Sequence, residues 1–269
     1  MRAACAPPRL LALSLGNLAS RADCAAFVRT LGRATEGGLT ALVLREPLLA
    51  DGPYLDLAER CRALVPWLVL HDRPHLVQAA QADGVHVGFR SLAPHEARRV
   101  LDVRGHGKER VVGFSSHAGD AADADRGADY VTFGPVFETP SKRGVRDTTG
   151  LDGLARRCAA TRVRHLRGAH AIAPDEAPEP GHPTPLVYAL GGVRAEDVGA
   201  CVAHGAYGVA AIGDLLGHSD PGARAGAFLA ALAASTATPA PGTRPAPGTR
   251  PATGADAATP APPPGGDAP

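Results

Sequence analysis

Residues 130–144 read Y-V-T-F-G-P-V-F-E-T-P-S-K-R-G, a run that begins as a strand and continues as a polar loop. Its first four residues are all β-branched or aromatic, which favours a buried strand. A Gly-Pro pair then breaks the strand, and the loop after it carries Thr139, Ser141 and Lys142. Two hydroxyl groups and an ammonium group this close together suit an anionic ligand such as a phosphate ester. An ordinary polar loop would contain the same residue types, so the choice depends on the rest of the chain.

The order of apolar strand and amphipathic segment recurs along the whole chain. The predicted strands are 10–15, 39–44, 67–70, 84–87, 111–114, 130–133, 186–190 and 208–212. The predicted helices are 21–35, 54–64, 75–81, 94–103, 117–126, 151–160, 194–204 and 222–234. A doubly wound open sheet is the structural alternative, but eight regular strand–helix units favour a sheet that closes into a barrel. The sequence therefore predicts an α/β protein with a single (β/α)8 TIM barrel.

Composition narrows the class of protein further. The 269 residues are 45% hydrophobic and 20% charged with a formal net charge of +1, which predicts a globular protein without a nucleic-acid or membrane surface. The five cysteines are dispersed and form no C-x-x-C pair, which indicates buried or free thiols in a reducing compartment and no zinc site. The apolar run 10–15 is too short to span a bilayer. We expect a cytoplasmic protein.

Two segments differ in composition from the barrel, which we assign to residues 9–235. Residues 173–185 contain five prolines and read as a loop inserted before the seventh strand. Residues 236–269 consist mainly of Ala, Pro, Thr and Gly, and such a tail is expected to be disordered. Residues 1–8 form a short N-terminal extension.

Polar side chains directly follow several predicted strands. Arg45 follows the second strand, His71 and Asp72 the third, and Ser115 and His117 the fifth. Because the active site of a (β/α)8 barrel lies at the carboxyl ends of its strands, these side chains are candidate site residues. A histidine near its reference pKa of about 6.5 both accepts and donates protons at neutral pH, although a helix-capping or solvated His117 fits the sequence as well. Asp72 could bind a metal, orient a neighbour or pair with an arginine, and a lone carboxylate makes a poor magnesium site.

Glycines follow the last two predicted strands. Gly191 and Gly192 come after the seventh strand, and Gly213 follows Ile212 at the end of the eighth. Glycine lets backbone N–H groups approach an anion closely, and these two loops are the usual phosphate site of such barrels. We therefore predict a phosphate site here, with plain turn glycines as the alternative.

Seven motifs near these strand ends resemble, in order, those of the thiamine phosphate synthase / TenI superfamily. They are L-R-E at 44–46, H-D-R at 71–73, G-V-H-V-G at 84–88, G-F-S-S-H at 113–117, G-P-V-F-E-T-P-S-K at 134–142, A-L-G-G-V at 189–193 and G-V-A-A-I at 208–212. The resemblance covers residues 9–235 apart from the proline-rich insert. It implies a TIM barrel and an enzyme of thiamine biosynthesis whose partner is a small-molecule thiazole phosphate.

The chain departs from the synthase branch of this superfamily at its magnesium and diphosphate contacts. That branch usually has Gln-Leu-Arg-Glu-Lys after strand two, where Val43 and Pro47 replace the outer residues, and Asn-Asp-Arg after strand three, where His71 replaces Asn. Its second magnesium carboxylate follows strand four, where Arg90 and Ser91 stand instead. The TenI branch, thiazole tautomerase, is similar at Phe-Glu-Thr in the strand-six loop and at the histidine after strand five.

The resemblance to the tautomerase implies roles for the candidate residues. His117 would be the acid and base that moves a proton to aromatise a thiazole carboxylate phosphate. The remaining predicted substrate-binding residues are Arg45, His71, Asp72, Ser115, Thr139, Ser141, Lys142, Gly191, Gly192, Ile212 and Gly213. No cofactor is expected, and magnesium only if the chain is instead a synthase. A phosphate-binding barrel without catalysis is a third possibility, and the oligomeric state is left open, with a homodimer allowed.

Overall fold

In the computed structural model, residues 7–102, 110–121, 123–138, 147–168 and 185–236 are described. Eight parallel strands form a closed barrel in which each strand pairs with the next and β8 pairs with β1. The strands are β1 (Leu10–Leu13), β2 (Ala41–Leu44), β3 (Trp67–His71), β4 (Gly84–Val87), β5 (Val111–Ser116), β6 (Tyr130–Phe133), β7 (Leu186–Leu190) and β8 (Gly208–Ala211). The predicted barrel is confirmed, and the open sheet is excluded.

Six α-helices are seen in the described part of the chain. They are α1 (Arg21–Glu36), α2 (Asp51–Arg62), α3 (Pro94–Asp102), α4 (Gly150–Gly168), α5 (Val198–Ala203) and α6 (Pro221–Thr236). A 3-10 turn at Ala195–Asp197 precedes α5. Each of these helices lies within or overlaps a segment predicted as helical, with boundaries that differ by a few residues at most places.

Two predicted helices are wrong. After β3 the chain forms only the 3-10 turn Pro74–Leu76 in place of the helix expected at 75–81. After β5 the described residues between 117 and 127 form turns. There the Asp120 carboxylate accepts the His117 backbone N–H at 2.7 Å, and Gly119 has a φ of +87°. A side chain that bonds the local backbone and a left-handed glycine both compete with helix formation, which is why the amphipathic pattern misleads here.

The barrel interior is filled by alternate residues of the strands. Because successive strand side chains point to opposite faces, Trp67 and Val69 of β3 point inward, while Leu68 and Leu70 pack against the helices. All four residues are buried, since a parallel sheet covered by helices has no face in water. This explains why the strands read as continuous apolar runs. The interior also contains Leu11, Leu13, Ala41, Val43, Tyr130, Tyr188 and Ala210.

Helix α1 shows how local sequence produces one of the outer elements. Ser20 begins the helix with a capping box, in which its hydroxyl accepts the Asp23 N–H at 3.1 Å and the Asp23 carboxylate accepts the Ser20 N–H at 2.9 Å. The helix then buries a stripe at three- and four-residue spacing. Its end approaches α6 closely, because a Cβ on Gly37 would lie 2.0 Å from the carbonyl oxygen of Gly222. The stripe consists of Cys24, Phe27, Leu31 and Ala34.

The predicted domain boundaries stay predictions. Residues 1–6, nearly all of the 173–185 insert and residues 237–269 lie outside the described residues. Cys24, Cys61, Cys158 and Cys201 are buried, as the dispersed pattern predicts. Among the helices that are described, none combines the length and apolar character needed to cross a bilayer.

Candidate active site

A histidine–aspartate pair lies at the carboxyl end of β3. His71 Nδ1 is 3.0 Å from Asp72 Oδ2, and the other carboxylate oxygen accepts hydrogen bonds from the Ser91 hydroxyl and, at 3.4 Å, from the Gly88 backbone N–H. Burial alone would raise the Asp72 pKa, but hydrogen bonds from His71 and Ser91 outweigh it and hold the pKa of this carboxyl below its usual value. Asp72 has a φ of +57°, a left-handed conformation that is uncommon outside glycine and is found at functional sites.

A second histidine, which was not among the residues predicted from the sequence, lies inside the barrel. His86 of β4 is fully buried, and its ring is 5.6 Å from the His71 ring between centroids. Its Nδ1 is 3.1 Å from the Tyr130 hydroxyl, and its Nε2 is 2.9 Å from Ser115 Oγ. Burial, with a smaller contribution from His71, lowers the His86 pKa to about 3, so the ring is neutral. The hydroxyl of Ser115, a predicted site residue, is therefore hydrogen-bonded to His86 on the side of the barrel interior.

The local sequence makes space for this arrangement at Gly113 of β5. A Cβ there would lie 2.2 Å from Tyr130 Cζ and 2.5 Å from His86 Nδ1, so the missing side chain lets the two rings meet. A signal for His86 was present in the sequence. In G-V-H-V-G, Val85 and Val87 pack against the helices, so strand alternation places the titratable His86 on the interior face.

His117 directly follows β5, at the end of the barrel where the carboxyl ends of the strands lie. Its side chain is largely buried, and its ring meets Phe89, which follows β4, edge to face at 5.9 Å between centroids. The Asp120 carboxylate lies 4.0 Å from His117 Nδ1. The ring is thus held between the loops after β4 and β5, instead of at the start of a helix as the sequence suggested.

The loop after β2 contains an exposed arginine and a buried glutamate. Arg45 is bound through its backbone, whose N–H donates to Ser14 Oγ at 2.7 Å, and its guanidinium lies against Gly16. Glu46 is 1% exposed and accepts the N–H groups of Gly16 at 3.0 Å and Leu18 at 2.9 Å. Sequence reasoning missed Glu46, whose carboxylate fixes the loop after β1 beside Arg45.

The predicted phosphate loops have backbone geometry that suits an anion. Gly191 and Gly192 have φ values of +94° and +64°, and the N–H groups of Gly192 and Gly213 donate to no other group in the described ranges. Gly213 is exposed, with open space where a Cβ would be, while half-buried Ile212 packs on the interior cluster of the barrel. Unpaired N–H groups at left-handed glycines are a common way to bind phosphate oxygens.

The loops after β6 and β7 are joined by backbone contacts. Val136 and Phe137 donate their N–H groups to Leu190 and Gly191, each at 2.9 Å. A Cβ on Gly192 would lie 2.4 Å from the Glu138 carbonyl oxygen. Glycine is required at this position because there is no space for a side chain and because the φ is positive. Thr139, Ser141 and Lys142, predicted from the strand-six stretch, lie outside the described residues.

Asp72 is the candidate ligand for a magnesium ion at the carboxyl ends of the strands. Magnesium is usually bound by one or two carboxylates together with substrate phosphates and water, and the Asp72 oxygens contact His71, Ser91 and Gly88. No cluster of three or more His, Cys, Asp or Glu side chains that could hold a metal occurs within the described residues. Arg90 and Ser91 follow β4, at the position where the resemblance to the synthase branch implies a second magnesium carboxylate.

Comparison with known proteins identifies the family of the chain. The model of the thiamine monophosphate synthase family matches residues 18–215. A thiamine-phosphate synthase of Desulfitobacterium hafniense is 31% identical over 206 residues, which cover 74% of this chain and 86% of the relative. A Geobacter sulfurreducens protein that carries the same name as a provisional assignment is 36% identical over 205 residues, 74% of this chain and 84% of its own length.

Solved structures show the same fold. A thiamine phosphate pyrophosphorylase from Pyrococcus furiosus superposes with a TM-score of 0.62 at 19% identity, over 84% of this chain and 96% of that chain. A KGPDC from Streptococcus mutans superposes with a TM-score of 0.55 at 12% identity, over 83% and 97% of the two chains. The family match over most of the chain, together with relatives above 30% identity, shows that the chain belongs to the thiamine monophosphate synthase family, and with it to thiamine biosynthesis.

Proposed function

We propose that this chain is a thiazole tautomerase, an isomerase that aromatises a thiazole carboxylate phosphate by moving one proton. The observation that carries the proposal is the position of His117, whose largely buried ring lies after β5 against Phe89 of the loop after β4. A reaction that releases pyrophosphate needs a cation to neutralise the leaving group. A proton transfer needs only a phosphate anchor and a correctly placed base, and candidates for both are present.

His117 takes the role of acid and base in this proposal. Its imidazole removes a proton from the ring carbon while the electrons of the C–H bond enter the conjugated system, and it returns the proton to the exocyclic carbon. The loops with Gly191, Gly192 and Gly213 hold the phosphate through backbone N–H groups. Arg45, His71 and Ser115 face the rest of the ligand, and Lys142 with its neighbouring hydroxyl groups offsets the negative charge.

Replacement of His117 by alanine tests the role of this residue. Because a general acid or base contributes about 10²–10⁴-fold to rate, we expect kcat to fall by that factor while the Kd for the thiazole phosphate changes little. The measurement is conversion of the thiazole carboxylate phosphate followed by ultraviolet absorbance. His95→Ala on α3, an exposed histidine, is the control and should keep full turnover. Unchanged kcat in His117→Ala would exclude His117 as the proton carrier.

A thiamine phosphate synthase is the second candidate, and the names of the relatives favour it. Arg45 and Asp72 match the motifs of the synthase branch. A synthase of this sequence would therefore bind the diphosphate through contacts that differ from those usual in that branch. Incubation with hydroxymethylpyrimidine diphosphate, thiazole phosphate and Mg²⁺ distinguishes the two reactions. Formation of thiamine phosphate would support the synthase. Tight thiazole phosphate binding without either reaction would indicate a non-catalytic binding protein.

A further inference from the structure

Three polar groups form a line from the barrel interior towards the carboxyl ends of the strands. The Tyr130 hydroxyl is 3.1 Å from His86 Nδ1, and His86 Nε2 is 2.9 Å from Ser115 Oγ. Tyr130 and His86 are fully buried, whereas Ser115 is half-buried and lies one step closer to the site. The hydrogen-bonded path from these two buried residues to the site therefore runs through Ser115.

Counting protons determines which group donates along this line. Burial lowers the His86 pKa to about 3, so the ring carries a single N–H at neutral pH. Burial also raises the Tyr130 pKa well above its usual value, so its hydroxyl keeps its proton. Within the described ranges, the only acceptor in hydrogen-bond reach of this hydroxyl is His86 Nδ1.

The protons of Tyr130, His86 and Ser115 can be arranged in two ways, and one of them leaves the Tyr130 hydroxyl proton without an acceptor. If Tyr130 donates to Nδ1, the ring proton is on Nε2 and is donated to Ser115 Oγ. If Ser115 donates to Nε2 instead, Nδ1 carries the proton and the buried Tyr130 hydroxyl has no acceptor. An unsatisfied buried donor is costly enough to favour the first arrangement by about 10-fold or more.

We propose that His86 and Tyr130 are positioning residues that fix the Ser115 hydroxyl as a hydrogen-bond donor to the substrate. The site then selects a ligand with an acceptor at this point, such as the ring nitrogen or a carboxylate oxygen of the thiazole. The identity of that ligand rests on the proposed function. Neither positioning residue touches the ligand, since both are covered by the barrel.

The tautomer of His86 is measured directly by ¹⁵N NMR of histidine-labelled protein. We expect the His86 signals of a ring protonated on Nε2 and deprotonated on Nδ1 in the wild type at pH 7. In Tyr130→Phe the donor to Nδ1 is lost, and the population protonated on Nδ1 should rise. A wild-type ring that already carries its proton on Nδ1 would overturn the proposal.

Binding in single and double variants tests the consequence for the substrate. Calorimetry with the thiazole carboxylate phosphate should give a Kd about 3–10-fold weaker for Ser115→Ala, the usual worth of one hydrogen bond. Tyr130→Phe should weaken binding through the same contact, so the double variant should bind no worse than Ser115→Ala alone. Tyr207→Phe is the matched control, because its hydroxyl donates to Pro7 O, away from His86, and binding should not change.

The results separate this inference from the proposed function. Additive losses in the double variant, with normal turnover in the wild type, would refute the inference and leave the tautomerase in place. Coupled losses without any turnover would refute the tautomerase and leave the roles of His86 and Tyr130 standing. A wild type that does not bind the thiazole at all would refute both.

Discussion

Thr132 carries a buried hydroxyl group that has no hydrogen-bond partner within the described part of the chain. The residue is 1% exposed, and strand pairing places it between Ser115 of β5 and Tyr188 of β7. A buried hydroxyl without a partner loses its hydration and gains nothing in return, at a cost of about 1–3 kcal/mol. Stability does not explain why threonine is present at this position.

We expect Thr132→Val to stabilise the protein by about 1 kcal/mol, because valine fills the same space without the polar atom. Urea unfolding measures the difference. Thr161→Val is the matched control, since the buried Thr161 hydroxyl donates to Arg157 O at 2.9 Å and its loss should destabilise. Equal destabilisation by both substitutions would show that Thr132 has a partner after all.

At the scale of single residues, the sequence predicted the positions of residues at the strand ends better than those of residues within the strands. His71, Asp72 and His117 were found because they directly follow strands, and a strand end has a defined position in a barrel. His86 and Tyr130 lie within strands, where a polar side chain is easily taken for part of a buried core. Their roles depend on a contact between two strands and on the space at Gly113, which no local pattern contains.

Among the elements, the strands followed the sequence and two of the helices did not. Continuous apolar runs are specific for strands of a covered parallel sheet, so all eight strands were predicted. The amphipathic spacing at 75–81 and 117–126 is compatible with a helix and with a series of turns, and it does not distinguish between them. After β5 the outcome is decided by Gly119 and by the Asp120 carboxylate, each of which acts on a few backbone groups only.

Replacement by alanine should have opposite effects on stability at two of the glycines. Gly32 lies inside α1, and a Cβ added to it would have no other atom within 4 Å, so Gly32→Ala should stabilise by about 0.5–1 kcal/mol through helix propensity. In β5, Gly113→Ala should destabilise by about 1–3 kcal/mol, because the new methyl group would overlap the rings of Tyr130 and His86. Thermal unfolding of both variants measures the two effects. Destabilisation by Gly32→Ala, or tolerance of Gly113→Ala, would contradict the packing described.

For the molecule as a whole, the neutral histidine inside the barrel should limit stability in acid. The folded pKa of His86 is about 3, below the value of about 6.5 expected for an unfolded chain. Above pH 6.5 the residue is neutral in both states and has no effect on the pH dependence. As the pH falls from 6.5 towards 3, the unfolded state binds a proton that the folded state does not, so the free energy of unfolding falls.

We expect this single group to contribute up to about 1.4 kcal/mol per pH unit within that window. Urea unfolding at several values between pH 7.5 and 5 measures the slope, in a range where the carboxyl groups of Asp23, Asp51 and Asp72 stay ionised because their pKa values are lowered. His86→Gln removes the titrating ring and should give a flatter profile. Identical slopes in both proteins would show that His86 is protonated in the folded barrel.

The backbone contacts between the loops after β6 and β7 bear on which ligands the proposed site can accept. Two backbone hydrogen bonds and the close contact of Gly192 with the Glu138 carbonyl connect the start of the loop after β6 directly to the loop after β7. If a phosphate binds at Gly192 as proposed, these contacts would set its distance from Ser115. Under the proposed function, we therefore expect turnover to fall for a phosphate ester whose linker is one carbon longer or shorter.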